Sequence, residues 1–259
     1  MILRRLSQSL KVQNWTAIWI EFVLLVAGVF LGIQVSNWNA ERETRQKSAI
    51  FSARLMADLR VEAWAYQYLM EYEKDVQANA RRALDGFDGT QPLSDEQLVI
   101  AAYRATQYES QDRHRATYDE LVSTGTIGLI TDQKMRETAM MVYATTLIDQ
   151  TLEEGKQSEY RLIFRRTLPA QVQQALLEKC GDKIITPLDY AGIVRSLDYP
   201  CTLGLPEDTV RAAAQALRTR VDLVPALRLR FADIGTVLVN LIDSNVALVN
   251  GLREYEDRK

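Results

Sequence analysis

Between Trp15 and Trp38 lie about twenty-four residues, WTAIWIEFVLLVAGVFLGIQVSNW, with a single formal charge, Glu21. A helix needs roughly 20 apolar residues to cross a bilayer core, so this run predicts one transmembrane helix. The flanks suggest its direction. Arg4, Arg5 and Lys11 precede it without an acid, whereas Glu41, Arg42, Glu43, Arg45 and Lys47 follow it with mixed sign. Lys/Arg excess marks the cytoplasmic side. The expected layout is a short cytoplasmic start at 1–14, a span at 15–38 and an exterior domain at 39–259. In a bacterium that means the inner membrane, crossed once, with the C-terminal domain in the periplasm. Trp15, Trp19 and Trp38 stand where indole rings favour headgroups. The rival is a cleavable signal peptide, whose apolar region would be only about 7–15 residues before an A-x-A-like site. Ser36-Asn37-Trp38-Asn39-Ala40 offers no such site, which favours an uncleaved anchor.

Within the span, Glu21, Gly28 and Gly32 fall within about 40° of one another at 100° per residue. Gly28 and Gly32 form a GxxxG, where missing side chains let helix backbones approach. A carboxylate in lipid costs a few kcal/mol and tends to face protein or water. The face therefore suggests packing against a second copy or a partner subunit. Alternatively Glu21, six residues past Trp15, reaches water at the inner interface.

The rest of the chain reads as helical. Glycine and proline are sparse, 12 and 6 in 259 residues, while 47% of residues are hydrophobic. From Ile33 to Asp85 neither occurs, and Met56, Leu59, Ala63, Tyr66, Met70, Gln77, Ala80 and Leu84 recur near the helical period. One helix should leave the membrane and end near Gly86. Ser94-Asp95-Glu96-Gln97 has the form of a capping box, opening a helix to about Gln107. Another, from about Arg113 to Ser123, stops at Gly125. Thr131 should cap a long helix to about Thr167, restarted at Pro169 and ended at Cys180-Gly181. Thr186-Pro187 and Pro206-Glu207-Asp208 open two more. Leu227, Phe231, Ile234, Leu238, Leu241, Asn245, Leu248 and Leu252 form a heptad seam, suited to a core helix or to an intermolecular coiled coil. No period-two pattern persists. The expected fold is all-α: a single N-terminal transmembrane helix continuing into an elongated antiparallel helical bundle.

Cys180 and Cys201 both lie on the expected exterior side. A disulfide between them would close a loop of about 20 residues in an oxidising compartment; two free thiols are the alternative. Outside the first eleven residues, 28 basic residues stand against 34 acidic ones. That balance argues against nucleic-acid binding, which uses a basic patch.

The sequence gives little support to catalysis. His114 is the one histidine, flanked by Arg113 and Arg115, and no other histidine completes a common zinc site. GxSxG, HExxH, GxxxxGK[ST] and GxGxxG are absent. Neither a catalytic residue, nor a cofactor, nor a metal site is expected, and the chain reads as a non-enzyme. The segment from Ala116 to Asp132 joins a helix end, a glycine-containing connector and the next helix start. It reads as a corner between helices, or else as a ligand pocket lined by Arg115, Thr117 and Tyr118.

Two stretches carry a resemblance. Glu21 to Asn39 resembles the E-x-x-L-V-x-x-G-x-x-x-x-x-Q-x-x-N-W-N signature of a bacterial family of single-pass membrane proteins whose domain has no assigned function. Tyr118-Asp119-Glu120-Leu121, Gly125 and Leu129-Ile130 are similar to its second recurrent element. The resemblance implies a single pass with a helical exterior domain and carries over no catalytic residue. A signature reaching Gln34, Asn37, Trp38 and Asn39 suggests contacts at the membrane exit beyond lipid anchoring. The expectation is a non-enzymatic, membrane-anchored periplasmic protein working through protein–protein contacts, as an accessory subunit or scaffold. The alternative is a ligand-binding sensor domain that signals laterally to a partner.

Overall fold

The structure, a computed structural model, describes residues 15–110 and 112–256. The expected cytoplasmic segment, with Arg4, Arg5 and Lys11, lies outside them. The described residues contain helices, turns and no strand, so the fold is all-α. In chain order the helices are α1 (Trp15–Asp88), α2 (Asp95–Arg104), α3 (Ala116–Ser123), α4 (Gln133–Ala144), α5 (Leu147–Lys156) and α6 (Glu159–Thr167). They continue as α7 (Ala170–Cys180), α8 (Tyr190–Ser196), α9 (Glu207–Thr219), α10 (Leu223–Val239) and α11 (Val246–Glu256). The chain divides into two compact units, residues 1–52 and 53–259.

In the first unit, every residue of α1 from Trp19 to Lys47 is exposed. An 18-residue stretch of this helix has a mean hydropathy of 2.0 and none of it is buried. It is long and apolar enough to cross a membrane.

In the second unit, the C-terminal part of α1 is the element others pack on. Leu59, Ala63, Tyr66, Ala80 and Leu84 are buried, as their spacing predicts. So are Leu55, Glu62, Trp64, Tyr68, Leu69, Tyr72, Glu73, Val76 and Asn79, so the helix is covered on most of its sides. Trp64, Tyr68, Tyr72 and Val76 pack with Ile193 of α8 and Ile234 of α10. Further along, Ala80, Ala83 and Leu84 meet a core built from α2, α6, α7, α9 and α10. The helix passes Gly86, where Leu93 and Leu98 press on the bare Cα, and ends at Asp88. Gly89, at φ +75°, makes the turn, and the amides of Thr90 and Gln91 donate to the Asp85 carbonyl at 3.0 and 3.2 Å.

Several local signals form as expected. The Ser94 hydroxyl accepts from the Gln97 amide at 3.2 Å, and the Gln97 side chain accepts from the Ser94 amide at 3.0 Å. The end of α3 is a Schellman motif: Gly125 at φ +69° lets Thr126 N donate to Leu121 O at 2.8 Å and Gly125 N to Val122 O at 3.1 Å. α7 follows Pro169, and α9 follows Pro206.

Three expectations are corrected. The long helix from Thr131 to Thr167 is three helices, α4 to α6, and Asp132 caps the first by accepting from Met135 N at 3.1 Å. At the first break Thr145 turns extended and its hydroxyl accepts from Leu147 N at 3.2 Å, the competition with the backbone that makes Thr and Ser poor helix interiors. The helix expected at Thr186-Pro187 begins instead after Asp189, which caps it through Gly192 N at 2.8 Å; Leu188 at φ 70° makes the turn before it. The heptad seam is not one helix. A π-turn at Asn240–Ser244 separates α10 from α11, with a 72° bend. Leu227, Ile234, Leu241, Leu248 and Leu252 are nevertheless buried, so the seam packs inside its own unit.

Cys180 and Cys201 are paired at disulfide distance, Cα–Cα 5.5 Å, tying the end of α7 to the segment before α9.

Candidate functional site

Glu21, Gly28 and Gly32 share one face of α1, and all three are exposed. No atom lies within 4 Å of where a Cβ on either glycine would sit. Gln34, Asn37, Trp38 and Asn39 are exposed as well. Just beyond them the helix surface changes to ion pairs one turn apart, Glu41–Arg45 at 2.9 Å and Glu43–Lys47 at 2.7 Å. Such pairs suit water, so the sequence leaves the apolar regime within a turn of Asn39.

The corner residues separate. Arg115 is exposed and forks onto Asp119 at 2.9 and 3.0 Å. Thr117 is buried, and the Tyr118 ring stacks on Tyr143 with centroids 4.9 Å apart. None of the three lines either cavity described below. What holds this corner is an acid on α1. Glu62, only 3% exposed, accepts from Arg113 Nε at 2.9 Å and from His114 N at 2.6 Å. Arg113 also donates to Val142 O at 2.8 Å, and Tyr143 donates to His114 O at 2.7 Å. The His114 residue itself is exposed. Among the described residues no three His, Cys, Asp or Glu side chains are grouped to hold a metal.

A second buried acid is less well satisfied. Glu73 is 1% exposed, and one of its oxygens has no hydrogen-bond partner among the described residues. Burial pushes its pKa up to about 7 against the pull of Arg230, and Glu154 adds to the rise. Arg230, also buried, donates to the Gln107 carbonyl at 3.0 Å.

An open cavity of about 480 Å³ lies in this unit. Its walls come from α1 (Tyr68), the α2 end and its connector (Tyr103, Tyr108, Glu109), α6 (Arg161, Arg165), and the stretch after α7 that holds Asp182 and Lys183. Arg161 is 8% exposed, donates to Thr106 O at 2.9 Å and stands 4.6 Å from the Tyr108 ring centre. Its loss of water, with Arg165 one turn away, lowers its pKa. Asp182 is open to solvent as a residue, but its carboxylate turns inward and accepts from the Tyr72 hydroxyl at 2.9 Å. Burial there, and to a smaller degree Glu109 and Asp182, pushes the Tyr68 hydroxyl well above its usual range.

A neighbouring cavity of about 440 Å³ is lined by Arg82, Arg104, Asp198 and Tyr199. There the cations are answered: Asp198 lies 3.4 Å from both Arg82 and Arg104, and Arg104 donates to Tyr199 O at 2.6 Å.

The chain matches no family model, no curated protein and no solved structure. Sequence reasoning passed over Arg161 and Arg165, although two arginines four apart in the YRLIFRR stretch were a visible signal.

Proposed function

We propose that the chain is a non-enzymatic, membrane-anchored helical protein of a bacterial inner membrane, with residues 39–259 on the periplasmic side. It works through protein contacts, as an accessory subunit or scaffold, and its span packs on another helix. The observation that carries this reading is that Glu21, Gly28 and Gly32 share one face of α1 within a stretch long and apolar enough to cross a membrane. A carboxylate facing lipid costs a few kcal/mol, and a helix meeting this face would remove that cost while using the room over the glycines. Gln34, Asn37, Trp38 and Asn39 extend the contact to the outer interface. The resemblance of Glu21–Asn39 and of the Tyr118 corner to a single-pass bacterial family supports the same topology.

Crosslinking in native membranes tests it. Gly28→Cys and Gly32→Cys should yield a crosslinked dimer or an adduct with a partner subunit. Val26→Cys, about 200° from position 28 around the helix, should not. Monomer alone from all three positions would contradict the proposal.

A second reading has one observation in its favour. The 480 Å³ cavity between helices suits a small ligand, and a ligand-binding sensor domain would then signal laterally to its partner.

A further inference from the structure

We propose that the cavity between α1, α6 and the stretch following α7 binds a small organic monoanion, a carboxylate carried on an apolar or aromatic body. This deepens the ligand-binding reading and rests on it; it does not depend on the span.

Charge is the first argument. Arg161, Arg165 and Lys183 line the cavity, and none makes an ion pair among the described residues. Arg161 is 92% buried in the sense that only 8% of it remains exposed. A guanidinium so placed normally has a carboxylate partner, because removing a charge from water is costly. Arg104, 7% exposed beside the second cavity, has Asp198 at 3.4 Å. Arg161 has instead a carbonyl and the Tyr108 ring, a second arginine one turn along α6, and the Asp182 carboxylate acting on it without a direct ion pair. The two carboxylates in the wall are already engaged: Asp182 accepts from Tyr72 and Glu109 from Tyr68. Three cations against two acids leave one positive charge over, which one carboxylate would neutralise. Arginine forks match that group in geometry.

Shape supplies the body of the ligand. Tyr103 and Tyr108 offer ring surface inside the cavity, while Leu177 and Ile184 at its wall are largely exposed. A ligand with an apolar body would cover them. The volume of about 480 Å³ lies within the range of small-molecule sites.

The test is calorimetric titration of the full chain in mild detergent with phenylacetate, phenethylamine and inorganic phosphate. Phenylacetate should bind saturably at one site per chain and the other two should not. Arg165→Gln and Lys183→Gln, both at exposed positions, should each weaken phenylacetate binding about tenfold and leave the unliganded melting temperature unchanged. Phenethylamine binding in place of phenylacetate would overturn the anion while leaving the ligand-binding reading intact. Phosphate binding as tightly as phenylacetate would overturn the organic body. Absence of saturation by all three at about 10 mM, or undiminished phenylacetate binding in both variants, would overturn the proposal.

Discussion

From Trp19 to Val35 α1 is almost entirely apolar and entirely exposed, whereas from Leu55 to Leu84 it carries Glu62, Glu73 and Asn79 and is largely buried. One helix thus has its more hydrophobic stretch uncovered and its more polar stretch inside. Burial in the second stretch is set by what packs on it, and two of its polar groups have specific partners: Glu62 accepts from Arg113 and Asn79 donates to the Asp75 carbonyl. The first stretch is long and apolar enough to cross a membrane, where such a surface would meet lipid or another helix. The same α-helical backbone serves both, since it satisfies its own hydrogen bonds in either setting.

The largest expected effect lies at the best-satisfied buried acid. Glu62→Ala should cost about 3–5 kcal/mol, because it strands the Arg113 guanidinium and the His114 amide. Chemical denaturation of the detergent-solubilised chain measures it; a loss near zero would mean that the corner is held by other contacts. Next comes a matched pair of leucines. Leu59→Ala, at a fully buried position, should cost about 2–5 kcal/mol. Leu25→Ala, at a position 66% exposed, should leave the unfolding of residues 53–259 unchanged. Equal effects would erase the distinction between the two stretches.

A smaller effect depends on pH. The folded pKa of Glu73, about 7, lies above its ordinary value of 4.5, so the folded chain holds a proton that the unfolded chain has lost. That contribution is fully present below pH 4.5 and disappears as pH rises through about 7. Stability should fall by about 2 kcal/mol between roughly pH 5 and 7 from this group. Glu73→Gln should flatten that part of the profile, and an unchanged slope would assign it to other groups.

What could be read in advance was what neighbours in sequence decide. The Ser94–Gln97 capping box, the helix starts after Pro169 and Pro206, and the glycine turn at Gly125 are complete within a few residues. The breaks at Thr145-Thr146 and Gln157-Ser158 had only weak local signals, two threonines and Gly155 with Ser158, which helices often accommodate, and folding back depends on distant packing by Tyr160 and Phe164. Thr186-Pro187 looked like a helix start, but Asp189 supplies the cap. Glu62 and Glu73 were indistinguishable from surface carboxylates, since their partners lie on other elements. For the same reason the cavity was out of reach: its cations come from α6 and from the stretch after α7, its rings from α1 and the connector beyond α2.

We propose that the exposed apolar stretch of α1 is surrounded by lipid and packed on a helix, with water beginning at the Gln34–Asn39 exit. Single cysteines placed in turn from Trp19 to Asn39, probed in intact membranes with a membrane-impermeant maleimide, test it most directly. Protection from Trp19 to Val35, with labelling beginning at Asn37 to Asn39, is the result expected. Labelling at every position along the stretch would contradict it.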